Sequence, residues 1–77
     1  MRTYIAMTGK QRFSGGWYQC IHWGHEKVSI DRSMVVKVVT IRPGEKHGRI
    51  VSEVTADGVR QIAKGRIIPA HKLRHTA

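Results

Sequence analysis

Short apolar stretches and turn-forming residues alternate along the whole chain. Breakers fall at Gly9, Gly15–Gly16, Gly24, Asp31–Arg32–Ser33, Pro43–Gly44, Gly48, Asp57–Gly58, Gly65 and Pro69. Between them lie segments of about six to eight residues rich in Val, Ile, Thr, Trp and Tyr, which is the pattern of short strands joined by turns. In Thr3 to Thr8, Tyr4 and Ala6 take one face of a first strand and Ile5 and Met7 the other. Lys10 to Gly16 reads as a glycine-bounded loop, Trp17 to Trp23 as a second strand and Lys27 to Asp31 as a third. Met34 to Ile41 is the clearest strand: Met34, Val36 and Val38 lie on one face, Val35, Val39 and Ile41 on the other. Apolar residues on both faces give it a central position, with Lys37 the exception.

Pro43–Gly44 fits the middle of a type II turn, where proline presets φ and glycine accepts a positive φ. Arg49 to Thr55 follows as a fifth strand. The segment ADGVRQIAKG supports two readings. Asp57–Gly58 is a type I′ hairpin signal that makes Val59 to Lys64 a returning strand. The alternative is a short helix with Asp57 as N-cap and Gly65 after its end. The hairpin is preferred because the preceding strand needs a neighbour.

The ending, KGRIIPAHKLR, is a short β segment, a proline that opens a tight turn, and an apolar Leu73 able to tuck inward. It resembles the last strand, 3₁₀ turn and final short strand of SH3-like small barrels, the superfamily of Tudor domains and retroviral integrase C-terminal domains. That resemblance covers about twenty residues at the C-terminal end. It implies an all-β fold, a bent barrel of about five antiparallel strands with binding loops gathered at one end. Members of the superfamily bind nucleic acids, peptides and methylated side chains, so the fold does not fix the function.

Composition narrows the partner. The 77 residues make one small domain. Fourteen Lys and Arg face five Asp and Glu, a formal charge of +9, which draws the chain to polyanions. No acid follows Asp57, whereas Arg60, Lys64, Arg66, Lys72 and Arg74 do. A single cysteine leaves no internal disulfide. The apolar runs are too short for a signal peptide or a membrane helix, and the basic amphipathic helix of a membrane-surface binder is not evident. The expectation is a cytoplasmic protein with no membrane partner.

The lone cysteine, two histidines and most of the aromatics gather in SGGWYQCIHWGHE, the stretch richest in candidate chemistry. On a strand, Cys20 and His22 share a face, and His25 reaches from beyond Gly24, so zinc ligation is conceivable. Only one such cluster exists, however, and zinc sites in small proteins usually show two separated ligand pairs; no metal or other cofactor is expected. Five scattered acids and the lack of a P-loop or G-x-S-x-G element argue against an enzyme. Trp17, Ile21 and Trp23 at alternate positions read as core, which leaves Phe13 and Tyr18 as the exposed rings.

Nucleic-acid binding gathers the most residues. Lys10 and Arg12 would meet phosphates beside Phe13 and Tyr18 as stacking faces; Arg42, Lys46 and Arg49 form a second basic loop, and Lys64 and Arg66 begin the basic tail. The competing expectation is a small inhibitor or adaptor, of the kind phages and mobile elements encode, that grips an acidic surface of a host nucleic-acid-processing protein. A homodimer is a further possibility, through an exposed Met34–Ile41 edge or an Ile67–Ile68 patch.

Overall fold

The computed structural model describes residues 3–73. Among these residues six strands occur in chain order: β1 (Thr3–Thr8), β2 (Gln11–Gly15), β3 (Val36–Ile41), β4 (His47–Thr55), β5 (Gly58–Gln61) and β6 (Ile67–Pro69). One helix, α1 (Trp17–Ile30), separates β2 from β3, and a 3₁₀ turn, Ala70–Leu73, follows β6. All pairings are antiparallel, in the order β2-β1-β3-β4-β5, with β6 also paired to β4. The chain is mostly β, but the sheet is open and carries a helix. The expected five-stranded all-β barrel is corrected accordingly.

The largest correction is α1. The second and third strands expected over Trp17–Trp23 and Lys27–Asp31 are one continuous helix. Trp17, Cys20, Ile21, Gly24 and Val28 recur at helical spacing and turn inward. Gly24, apparently a breaker, is where the helix comes closest to the sheet: a Cβ there would lie 3.1 Å from Val54. At the N-terminus the Gln19 side chain accepts a hydrogen bond from the Gly16 N–H at 2.8 Å. At the other end Asp31 donates its N–H to the Lys27 carbonyl, while its carboxylate accepts from the Ser33 N–H and hydroxyl. Those two bonds to Ser33 hold the Asp31 carboxyl below the usual carboxylate range.

Two apolar clusters sandwich the sheet. Under α1 lie Ala6, Cys20, Ile21, Val28, Val36, Val38 and Val54. On the opposite face Ile5, Val39 and Ile50 are covered by Leu73 from the 3₁₀ turn. The alternation expected for Thr3–Thr8 and for Val36–Ile41 is realised, with Met34 and Val35 just outside β3. A bulge in β4 links the two layers. Val38 pairs with Ser52 but Val39 pairs with Ile50, which leaves Val51 as the extra residue. Gly48, Ile50, Ser52 and Val54 are all buried, yet Val54 faces the helix and Ile50 the Leu73 layer. One inserted residue exchanges the faces.

β3 lies between β1 and β4, so the proposed Met34–Ile41 edge is not free. Ile67 and Ile68 pair with Arg49 and Gly48. The Pro43–Gly44 turn has the expected positive φ at Gly44 (84°) and a Glu45 N–H to Arg42 carbonyl bond. The β4–β5 hairpin also forms, but its loop is Ala56–Asp57, and Gly58 carries the positive φ (130°). Ala56 and Asp57 keep negative φ, so the turn is not type I′. The returning strand ends at Gln61, short of Lys64. β6, the 3₁₀ turn and the inward Leu73 match the expected ending; the final short strand falls outside the described residues. Gly65 fastens this segment to the sheet, since any Cβ there would collide with the Ile50 carbonyl oxygen.

Candidate nucleic-acid interface

The residues singled out in the sequence separate into three locations. Lys10 is exposed in the two-residue turn between β1 and β2, and the expected loop beyond it is largely strand β2. Arg12 faces away from α1 and spends its guanidinium on the fold. Its Nε donates to the Lys72 carbonyl at 2.9 Å, and one terminal nitrogen donates to the carbonyls of Gly9 (2.7 Å) and Gln11 (2.8 Å). It is therefore a clamp between the first hairpin and the C-terminal 3₁₀ turn, and a phosphate there would compete with these three bonds. A contact across sixty positions has no local signature in the sequence.

Phe13 is likewise less free than expected. It pairs with Ala6 on the helix side of the sheet, and its ring stacks on Trp23 with centroids 5.9 Å apart and planes 14° from parallel. Tyr18, by contrast, is 82% exposed. Its ring meets Trp17 edge-on at 5.1 Å. Phe13, Tyr18, Gln19, His22, Trp23 and Glu26 line a shallow, mostly apolar groove of about 370 Å³ between α1 and the edge strand β2. The Lys27 ammonium lies 5.2 Å from the Trp23 ring, a cation–π distance. The helix also dissolves the conceivable metal cluster. Cys20 points into the core while His22 is exposed and paired with Glu26 at 3.0 Å, and no group of three or more metal-ligating side chains occurs among the described residues. Burial pushes the Cys20 thiol above its ordinary value, against the opposing effect of backbone hydrogen bonds from Ala6 and Gly15.

The third location is the Thr40–Arg49 end of the helix-side face; nearer β2 that face is covered, Gly15 lying against Gln19 of α1 and Tyr4 packing into the helix-side core. Strand register aligns Gly15, Tyr4, Thr40, Arg49 and Ile67 as successive neighbours across β2, β1, β3, β4 and β6. At ~4.8 Å per strand the row spans ~19 Å. The Val51 bulge puts Arg49 there, because without it the even-numbered residues of β4 would continue on this face. Around Thr40 and Arg49, residues Ile41, Arg42, Glu45, His47, Gly48, Val51 and Ile67 complete an open concavity of about 510 Å³.

The polar groups of this concavity are unevenly satisfied. Arg42 has an exposed partner, Glu45, at 4.0 Å, a contact too long and too wet to neutralise it. Among the described residues Arg49 has no carboxylate within ion-pair distance. The Thr40 hydroxyl is buried and has no hydrogen-bond partner. Lys46 is exposed in the β3–β4 loop, and its carbonyl accepts the Ala70 N–H at 2.8 Å. Lys64 and Arg66 are exposed in the segment from β5 to β6, beside the concavity rather than in its lining. The structure thus brings Arg42 and Arg49 together, keeps Lys46, Lys64 and Arg66 at hand, and sets Lys10, Phe13 and Tyr18 apart.

Tyr4, Thr40, His47, Val51 and Ile67 were absent from the sequence-based set. The alternation of Thr3–Thr8 and Val36–Ile41 does place Tyr4 and Thr40 on the face of Ala6 and Val38. Only the bulge, invisible in the sequence, joins Arg49 to them. No family model, curated protein or solved structure matches this chain.

Proposed function

We propose that this protein binds single-stranded nucleic acid across the open end of its helix-side sheet face, and acts by binding rather than by catalysis. The observation that carries the reading is the row Tyr4–Thr40–Arg49–Ile67 with Arg42 and His47 beside it. It combines two exposed guanidinium groups, the His47 ring and an apolar platform of Val51 and Ile67 on an open, concave strand surface. Single strands are held in this way: cations follow the phosphates while bases lie against rings and apolar side chains. Duplex would meet the same cations but find no use for the ring and the apolar platform. Lys46, Lys64 and Arg66 extend the cationic rim, and the overall +9 charge steers the approach.

The test is a salt series with a fluorescent single-stranded oligonucleotide. Each neutralised phosphate contributes about −0.7 to the log–log slope for a single strand. Arg42→Ala with Arg49→Ala should reduce the slope by about 1.4 if each meets one phosphate, whereas Lys10→Ala should leave it nearly unchanged. Equal effects from both changes would mean diffuse attraction without a site. Absence of binding at low salt would favour the other expectation, an acidic protein surface held by the same cations, and retention of a partner after nuclease treatment would support it.

A further inference from the structure

The opposite side of the molecule poses a separate question. β2 is an edge strand, with β1 on one side and no strand on the other among the described residues. Exposed edges are normally guarded by proline, a bulge or a projecting lysine or other charge. Gln11–Gly15 has no proline and pairs with β1 without a register shift. Its one charge, Arg12, is folded back onto three carbonyls. Directly beside this edge lies the aromatic groove with the exposed Tyr18. An unguarded edge next to an unfilled apolar groove is the arrangement of a strand-addition surface.

We propose that a second copy of this chain occupies it, β2 pairing antiparallel with β2 of the partner about a two-fold axis through Phe13. A two-fold axis perpendicular to the sheet must pass through a residue, because paired side chains share a face. Centring on Arg12 would set the two Arg12 residues against each other. Centring on Ser14 would pair only three of the five strand residues. Centring on Phe13 uses the whole strand: Gln11 meets Gly15 of the partner subunit, Arg12 meets the partner's Ser14, and Phe13 meets the partner's Phe13. No like charges stand opposite each other in that register. Phe13 lies on the helix side, so the two Phe13–Trp23 stacks meet at the axis, and each Tyr18 and His22 looks across the groove toward the other copy. Aromatic cross-strand pairs favour such a contact.

The +9 charge of each copy opposes association, and Lys10, Arg12 and Lys27 lie at or beside this edge, so pairing depends on their screening by salt. Arg49 is three strands from β2, ~14 Å, beyond the ~8 Å screening length at physiological salt. Strand β2 carries no acid, and in this register the uncharged Gln11 faces the partner's Gly15 while Arg12 faces the partner's uncharged Ser14. The dimer would continue one sheet through both copies with both helices on the same face. It does not depend on the nucleic-acid reading.

Sedimentation equilibrium of the full chain, from micromolar to sub-millimolar protein and at physiological and high salt, tests the proposal. Wild type should show a monomer–dimer equilibrium that tightens with salt. Ser14 is exposed, so Ser14→Arg should fold normally by circular dichroism. It would place two Arg–Arg contacts about the axis and weaken dimerisation roughly tenfold, given the cost of like charges directly opposite and the conversion of energy to affinity. Ser14→Glu would meet the partner's Arg12 and leave association as strong or stronger. A monomer at every concentration overturns the proposal. So does a dimer that responds identically to Ser14→Arg and Ser14→Glu, because the register would then be wrong. Loss of oligonucleotide binding in Tyr18→Ala with no change in mass would assign the groove to nucleic acid instead.

Discussion

Replacing Arg12 by alanine separates a structural cation from a ligand. One guanidinium holds three backbone carbonyls, of Gly9, Gln11 and Lys72. Hydrogen bonds to charged groups contribute ~1.5–3 kcal/mol each where water is excluded. All three are exposed here, so water replaces most of each bond and a few tenths of a kcal/mol apiece remain. The Lys72 bond adds more, because it holds the turn that carries Leu73, 4% exposed, over Ile5, Val39 and Ile50. A loss of about 1–2 kcal/mol follows. In a domain of this size that lowers Tm by roughly 4–16 °C. Thermal and urea melts followed by circular dichroism would measure it, with Lys10→Ala as the neighbouring control, expected within ~0.5 kcal/mol of wild type. Arg12→Lys should restore little, since an ammonium cannot reproduce the planar fork. Below the melting transition, Arg12→Ala should keep the wild-type salt slope. Wild-type stability combined with weakened oligonucleotide binding would refute the clamp and return Arg12 to the interface.

Other consequences are equally specific. Gly65→Ala would drive a Cβ into the Ile50 carbonyl oxygen, so the segment leading into β6 must shift from β4, and a loss above ~3 kcal/mol should appear in urea melts; a near-neutral result would contradict the docking of that segment. The Ser52 hydroxyl is fully buried without a hydrogen-bond partner, so Ser52→Ala should be neutral or stabilise by about 1 kcal/mol in the same assay, and a clear destabilisation would reveal a hidden partner. Cys20 has a raised thiol pKa caused chiefly by burial. Its contribution is therefore complete below the unfolded thiol value of ~8.5 and lost as pH rises through the higher folded value. Stability should fall in that alkaline window more in wild type than in Cys20→Ala, and labelling of the folded protein by a thiol reagent should be limited by opening of the structure.

Much of the sheet is readable along the chain because its signals are local. Alternation in Thr3–Thr8 assigns the faces of β1, Pro43–Gly44 demands its turn, and proline followed by Leu73 forecasts the 3₁₀ closure. The helix is hidden in the sequence because Trp, Tyr, Ile and Val favour strands, and because Gly24 looks like punctuation. The competing stripe, Trp17–Cys20–Ile21–Gly24–Val28, is present in the same residues, and tertiary packing on Val54 decides for it. β4 hides its structure differently. Burial of Gly48, Ile50, Ser52 and Val54 looks like one face, and the bulge that divides it between two layers leaves no mark in composition. The candidate interface depends on that bulge, so its cations were legible and their assembly was not. Arg12 shows the converse: its charge drew it into the interface, and a contact sixty positions away ties it to the fold.

The central claim concerns where a single strand lies, and amide chemical-shift mapping of the isotope-labelled protein with a short single-stranded oligonucleotide tests it most directly. The account predicts saturable shifts at Tyr4, Thr40, Arg42, His47, Arg49, Val51 and Ile67, with Gln11–Gly15 largely undisturbed. Shifts confined to Gln11–Gly15 and the exposed face of α1, or none at low salt, would contradict it.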